Sequence, residues 1–222
     1  MKKKLLLAPL VLLLCSFAPR MGAYGTVGIT LYSYTEYTSS GSTSYGIGHS
    51  FVMIENNRSR PVNLGFCNLA PFSKYTLGLW GNDGSSTSSN EGWNVLTDGI
   101  FYNREAYLFS TLYDNPTDMV KIYEEVEASL FETRISNFRG DTTYLQYNAE
   151  QYLLLGYNCS NFAAEFFAIA TADDFGLIGS PAALRGAMLG REDVQTANKS
   201  EIFSTNTYWR YTNNGERFDY PS

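Results

Sequence analysis

Tyr157-Asn158-Cys159-Ser160-Asn161-Phe162-Ala163-Ala164-Glu165-Phe166-Phe167-Ala168-Ile169-Ala170 is an apolar run that opens on polar residues. Phe162, Phe166 and Ile169 recur at helical spacing, and small Ala163, Ala164 and Ala168 permit close packing, so the spacing predicts a helix from Cys159 to about Ala170. Asp173 and Asp174 are expected to end it. A cysteine in the first turn of such a helix lies where unpaired backbone N–H groups favour a thiolate and stabilise an oxyanion during acyl transfer. A thiolate nucleophile also needs a base. The chain holds one histidine, His49, in Gly48-His49-Ser50-Phe51-Val52-Met53-Ile54. Any mechanism that uses an imidazole must therefore use His49, and His49 with Cys159 is the sharpest functional pairing in the sequence.

Upstream of that helix the patterning is mostly of period two. Val27, Ile29 and Leu31 alternate with Gly28, Thr30 and Tyr32, which predicts a strand over Thr26 to Thr38. Ser39 to Ser44 reads as a flexible loop. His49 to Ile54 is β-branched and apolar, and Glu55 to Ser59 reads as a turn. Pro61 to Phe66 is expected to return as a second strand, proline first, making a hairpin with His49 at its open end. Further strands are expected over Lys74 to Trp80, Gly99 to Tyr102 and Ala106 to Leu112, with a loop from Asp83 to Gly92. From Pro116 the spacing of Val120, Tyr123, Val126 and Leu130 predicts a surface helix capped by Asn115. Tyr147 to Leu155 reads as a short helix closed by Gly156, and Ser180-Pro181 starts another. The expected class is α+β: an antiparallel sheet packed against a few helices.

The N-terminus carries Met1-Lys2-Lys3-Lys4, the apolar run Leu5 to Leu14, then small Ser16 and Ala18. This pattern describes a secretory signal peptide, residues 1–23, with cleavage near Ala18 or Ala23, and the run is too short to span a bilayer. One mature domain, 24–222, is expected, exported and extracellular. Removing Lys2, Lys3, Lys4 and Arg20 leaves 16 − 4 = 12 basic residues against 22 acidic ones, so the charge moves from -6 to -10. Such a balance gives no footprint for nucleic acid or for stable membrane association. Neither zinc-ligand spacing nor a phosphate loop nor a dinucleotide fingerprint occurs, so no metal and no cofactor is expected. Gly48-His49-Ser50 lacks the second glycine of a lipase elbow, and a Ser50 nucleophile would have only its own neighbour as base. Glu36, Glu55, Glu91, Glu105 and Glu165 offer carboxylates for a glycosidase, but no spacing selects two of them. Cys67 and Cys159 survive signal removal, and in an oxidising compartment a bridge is the bland reading. Two cysteines make no disulfide framework, however, and Cys67 lies in loop-like Gly65-Phe66-Cys67-Asn68. The two are expected too far apart to pair.

A histidine on an early strand, followed much later by Leu154-Leu155-Gly156-Tyr157-Asn158-Cys159-Ser160-Asn161-Phe162, resembles the circularly permuted papain-like superfamily. That grouping includes permuted NlpC-type hydrolases, PPPDE peptidases and lecithin retinol acyltransferase-like proteins. The chain also resembles a set of uncharacterised exported bacterial proteins through Leu79-Trp80-Gly81-Asn82, Gly99-Ile100-Phe101-Tyr102-Asn103-Arg104-Glu105 and Ser180-Pro181-Ala182-Ala183-Leu184. The resemblance implies a permuted papain-like fold with Cys159 as nucleophile, His49 as general base and a third polar residue that orients the histidine. Asn63, the polar side chain within Pro61 to Phe66, is the candidate for that third role. The activity implied is hydrolysis of amide or ester bonds in a peptide, cell-wall or acyl substrate. A catalytically inactive binding module on the same fold is the alternative.

Overall fold

The computed structural model describes residues 25–39, 42–64, 67–80, 99–111, 115–140, 158–176, 178–211 and 216–220. The class is α+β, with a large antiparallel sheet and helices on both of its faces. Its first two strands, β1 (Thr26–Ser39) and β2 (Ser42–Asn56), pair from Val27↔Asn56 to Ser39↔Ser42. Of the expected Ser39 to Ser44 loop, the described residues 39 and 42–44 are strand. A short ribbon, β3 (Val62–Asn63) with β4 (Asn68–Leu69), precedes β5 (Lys74–Trp80) and β6 (Gly99–Tyr102). Then follow α1 (Arg104–Thr111), β7 (Asn115–Pro116), β8 (Val120–Glu127) and α2 (Ala128–Gly140). The chain closes with α3 (Cys159–Thr171), α4 (Pro181–Leu189), β9 (Gln195–Thr196), β10 (Tyr208–Tyr211) and β11 (Arg217–Tyr220). Strand order is β11-β10-β6-β5-β2-β1-β8-β9, with β7 also on β1, nine strands among the described residues.

Alternation along β1 and β2 sends two sets of side chains to opposite faces. Val27, Ile29, Leu31, Val52 and Ile54 join Phe162 and Phe166 of α3 in one buried cluster. Tyr32, Tyr34, Phe51 and Met53 join Ala106 and Phe109 of α1 in another. Tyr32 is 1% exposed, so this second face is covered too. A sheet in this setting must present apolar residues on both sides, because each face loses its water to a helix.

Three expected elements are corrected. Val120 to Leu130 is no surface helix: it is β8 followed by the start of α2. Ile122 stands opposite Leu31 and Val126 opposite Val27, and Tyr123, placed on the helical stripe by its spacing, is exposed. Val120, Ile122 and Val126 share one face at even spacing, and pairing with β1 decides between the two periods. Ala106 to Thr111 is helical in α1 rather than a strand. Of the expected Pro61 to Phe66 strand, the described residues 61–64 do not form a hairpin with His49 to Ile54, because both edges of β2 are taken by β1 and β5. Val62–Asn63 pairs with Asn68–Leu69 instead. The strands over 74–80 and 99–102 and the helices at Cys159 and Pro181 occur as the sequence predicts. The leader over 1–23, the loop over 83–92 and the helix over 147–155 lie outside the described residues.

Candidate active site

Cys159 is the first residue of α3 and is 1% exposed. Asn158 caps the helix: its side chain accepts from the Ser160 N–H at 2.9 Å, and the Asn161 side chain returns a bond to the Asn158 N–H at 3.1 Å. This reciprocal box satisfies donors that a helix start leaves without intrahelical partners. Both asparagines also donate to the loop ahead of α4, Asn158 to the Gly179 carbonyl at 3.0 Å and Asn161 to that of Ile178. The polar residues around the cysteine thus fix where the helix starts, and with it where the sulfur sits.

His49 comes to meet it through an irregularity in β2. The β1–β2 register slips between Tyr34↔His49 and Glu36↔Tyr45, so β2 carries two more residues than β1 in that interval. Gly48 takes the bend at φ +75°, and a Cβ there would lie 2.1 Å from the Tyr34 carbonyl oxygen. Only glycine fits this position. The β2–β5 ladder runs from Glu55↔Lys74 to Val52↔Leu77, after which β5 continues against β6. The two strands part beside His49, where the start of α3 packs on the sheet. Behind the histidine, the Ser50 and Ser33 hydroxyls share a buried bond of 2.8 Å, and Ser33 donates to the Pro181 carbonyl at 2.9 Å, tying α4 to the same strands.

The imidazole is hydrogen-bonded on two sides. His49 Nε2 lies 3.0 Å from Glu105 Oε1, and the Cys159 side chain makes the other bond. Burial pulls the His49 pKa down, but the charge and hydrogen bond of Cys159, reinforced by the Glu105 bond and charge, push it up to about 9. Both partners thus favour the protonated ring. Trp80 covers the ring at 4.1 Å between centroids and donates its indole N–H to the same Glu105 Oε1 at 2.7 Å.

Glu105, 1% exposed, holds the place for which Asn63 was expected. Asn63 lies exposed on β3, its backbone N–H bonded to Glu132. The β3–β4 ribbon adjoins the Asn56 end of β2, because Asn56 donates to the Leu69 carbonyl at 3.1 Å. From His49 that is 56 − 49 = 7 residues along the strand, about 23 Å at the rise of an extended chain. Gly78 is a second residue that sequence reading passed over: a Cβ there would stand 1.9 Å from Glu105 Oε1 and 3.0 Å from His49 Nε2. The absent side chain is what lets the carboxylate and imidazole meet over β5. Both Trp80 and Glu105 fall inside short segments that carried the resemblance, which was the available signal.

Cys67 and Cys159 are free thiols, and Cys67 hydrogen-bonds with Tyr211. Among the described residues no group of three or more His, Cys, Asp or Glu side chains is arranged to hold a metal, and no helix is long and apolar enough to cross a membrane. No family model, curated protein or solved structure matches this chain.

Proposed function

We propose that the protein is an exported thiol hydrolase of permuted papain-like type, cleaving amide or ester bonds, with cell-wall peptide as the favoured substrate and other peptides or acyl groups as alternatives. One observation carries this reading: the thiol of Cys159, the ring of His49 and the carboxylate of Glu105 form an unbroken hydrogen-bonded line. In that arrangement His49 holds the thiol proton and Cys159 Sγ attacks the substrate carbonyl. The helix start stabilises the negative oxygen of the tetrahedral intermediate. The imidazolium then protonates the leaving amine or alcohol, giving a thioester. His49 next takes a proton from water, whose hydroxide adds to the thioester, and the free acid leaves as the thiolate reforms. Glu105 holds the ring in orientation.

The depth of the trio favours a second reading. Cys159 and Glu105 are 1% exposed and His49 6%, as in a buried polar network of a binding module that has no turnover. Incubating the mature protein with purified peptidoglycan and with small thioesters separates the two. Release of new amines or thiols by the native chain, lost in Cys159→Ala and in His49→Ala, supports the hydrolase. A parallel arm measures iodoacetamide labelling near pH 6, where Cys159 should react well ahead of Cys67. Equal labelling of both cysteines, unchanged by His49→Ala and with no product, leaves the binding module as the function.

A further inference from the structure

Glu105 reaches His49 only because the chain turns sharply between β6 and α1, and Asn103 makes that turn. It is a non-glycine residue at φ +65°, 6% exposed. The β5–β6 ladder runs to Leu77↔Tyr102, so the next rung would join Thr76 to Asn103. Half of that rung is ordinary: the Asn103 N–H donates to the Thr76 carbonyl at 2.8 Å. The other half is not. A strand residue would offer its own carbonyl to the Thr76 N–H, but the Asn103 carbonyl has turned away to accept the Tyr107 N–H at 2.9 Å, the first turn of α1. The Asn103 side-chain oxygen accepts from the Thr76 N–H instead, at 3.1 Å. One residue is thus the last rung of the sheet and the first turn of the helix. That combination needs tolerance of left-handed backbone together with a short acceptor, which Asn and Asp alone supply.

We infer that Asn103 is a positioning residue that aims the Glu105 carboxylate at the His49 ring. Glu105 is two residues beyond it, and Gly78, which makes room for the carboxylate, is two residues beyond Thr76. Clamping Asn103 to Thr76 therefore fixes both sides of the Glu105–Gly78 contact at once. The effect on thiol chemistry rests on the hydrolase reading above, whereas the effect on the imidazole does not.

The test compares Asn103→Ala, Asn103→Gly and Asn103→Asp in the mature chain, with two readouts. One is NMR titration of the imidazole, unambiguous because His49 is the chain's single histidine. The other is the iodoacetamide rate at Cys159, with Cys67 as internal reference. Asn103→Asp keeps the acceptor and the backbone tolerance and should hold both readouts at native values. Asn103→Gly keeps the turn and loses the acceptor. It should lower the His49 midpoint from about 9 and slow Cys159 labelling roughly tenfold, as expected when a reacting pair is misaligned. Asn103→Ala loses both features and should do more. Native titration and labelling in Asn103→Gly overturn the proposal, and that variant retains the fold because glycine suits the conformation. If native Cys159 labels no faster than Cys67, the hydrolase reading fails, while the titration arm still decides the role of Asn103.

Discussion

A single imidazole that bonds both a thiol and a carboxylate carries a proton that can be followed without assignment. The His49 resonances should titrate near pH 9. Cys159→Ala removes the larger upward influence and should lower the midpoint; Glu105→Gln should lower it too; Asn63→Ala should leave it unmoved. A native midpoint at or below the ordinary 6.5 would refute the ion-pair picture. Because the folded value is raised, His49 taken alone stabilises the fold fully below about pH 6.5 and loses that contribution as pH rises through about 9. Gly78→Ala offers an independent probe. Its methyl group would occupy the place of Glu105 Oε1, so the carboxylate must leave the ring. Overpacking of that kind costs about 1–3 kcal/mol, to be read by urea unfolding, and Cys159 labelling should slow in parallel. At this scale Cys159 and His49 were legible, the first from its place at a helix start and the second from its scarcity. Glu105 was not, because it was one of several glutamates and lies 56 residues from its partner.

Elements deliver these residues through their irregular points. Where β1 departs from regular pairing opposite Gly48, the backbone N–H groups of Thr35 and Glu36 both donate to Asp118 Oδ1 at 2.9 Å. The Thr35 hydroxyl takes the other oxygen at 2.5 Å, and Arg185 of α4 pairs with it at 3.1 Å. Burial pushes the Asp118 pKa up, but the bonds from Thr35 and Glu36 and the Arg185 charge hold it below the usual carboxylate value. Its contribution is therefore present above pH 3.8 and is lost as pH falls through the lower folded value. Asp118→Ala leaves two strand N–H groups without their acceptor and should cost about 2–3 kcal/mol in chemical denaturation at neutral pH. The variant should also lose less stability than the native chain as pH falls below 3.8. A native-like acid profile in Asp118→Ala would show that the clasp is not what secures the bulge. The helix starts at Cys159 and Ser180-Pro181 were readable because their signals lie within a few residues. β8 was misread, since Val120, Tyr123, Val126 and Leu130 satisfy helical spacing while Val120, Ile122 and Val126 satisfy the strand's.

Across the whole molecule, the sheet is sandwiched so that α3 packs on one face and brings Cys159, while α1 packs on the other and brings Glu105. Phe167 is fully buried among the residues joining α3 to the sheet. Phe167→Ala should cost about 3–5 kcal/mol, the range for removing a buried aromatic ring, and calorimetry would measure it. Labelling at Cys159 should survive that change at temperatures where the fold persists, because α3 is also fixed by Asn158 and Asn161. An equal fall in labelling and stability would mean that packing alone places the sulfur. The amino-acid sequence by itself determined the class, the period of the main strands, the starts of α3 and α4, and the candidate pair Cys159 and His49. Those features rest on backbone bonds and burial patterns within a turn or a strand, which neighbouring residues encode. Only the tertiary structure decided that β8 is a strand, that Val62–Asn63 pairs away from the site, and that Glu105 rather than Asn63 faces His49. Each of those outcomes depends on which sheet edge was already occupied and which surface a glycine left open. Such facts exist only once distant segments have closed on one another.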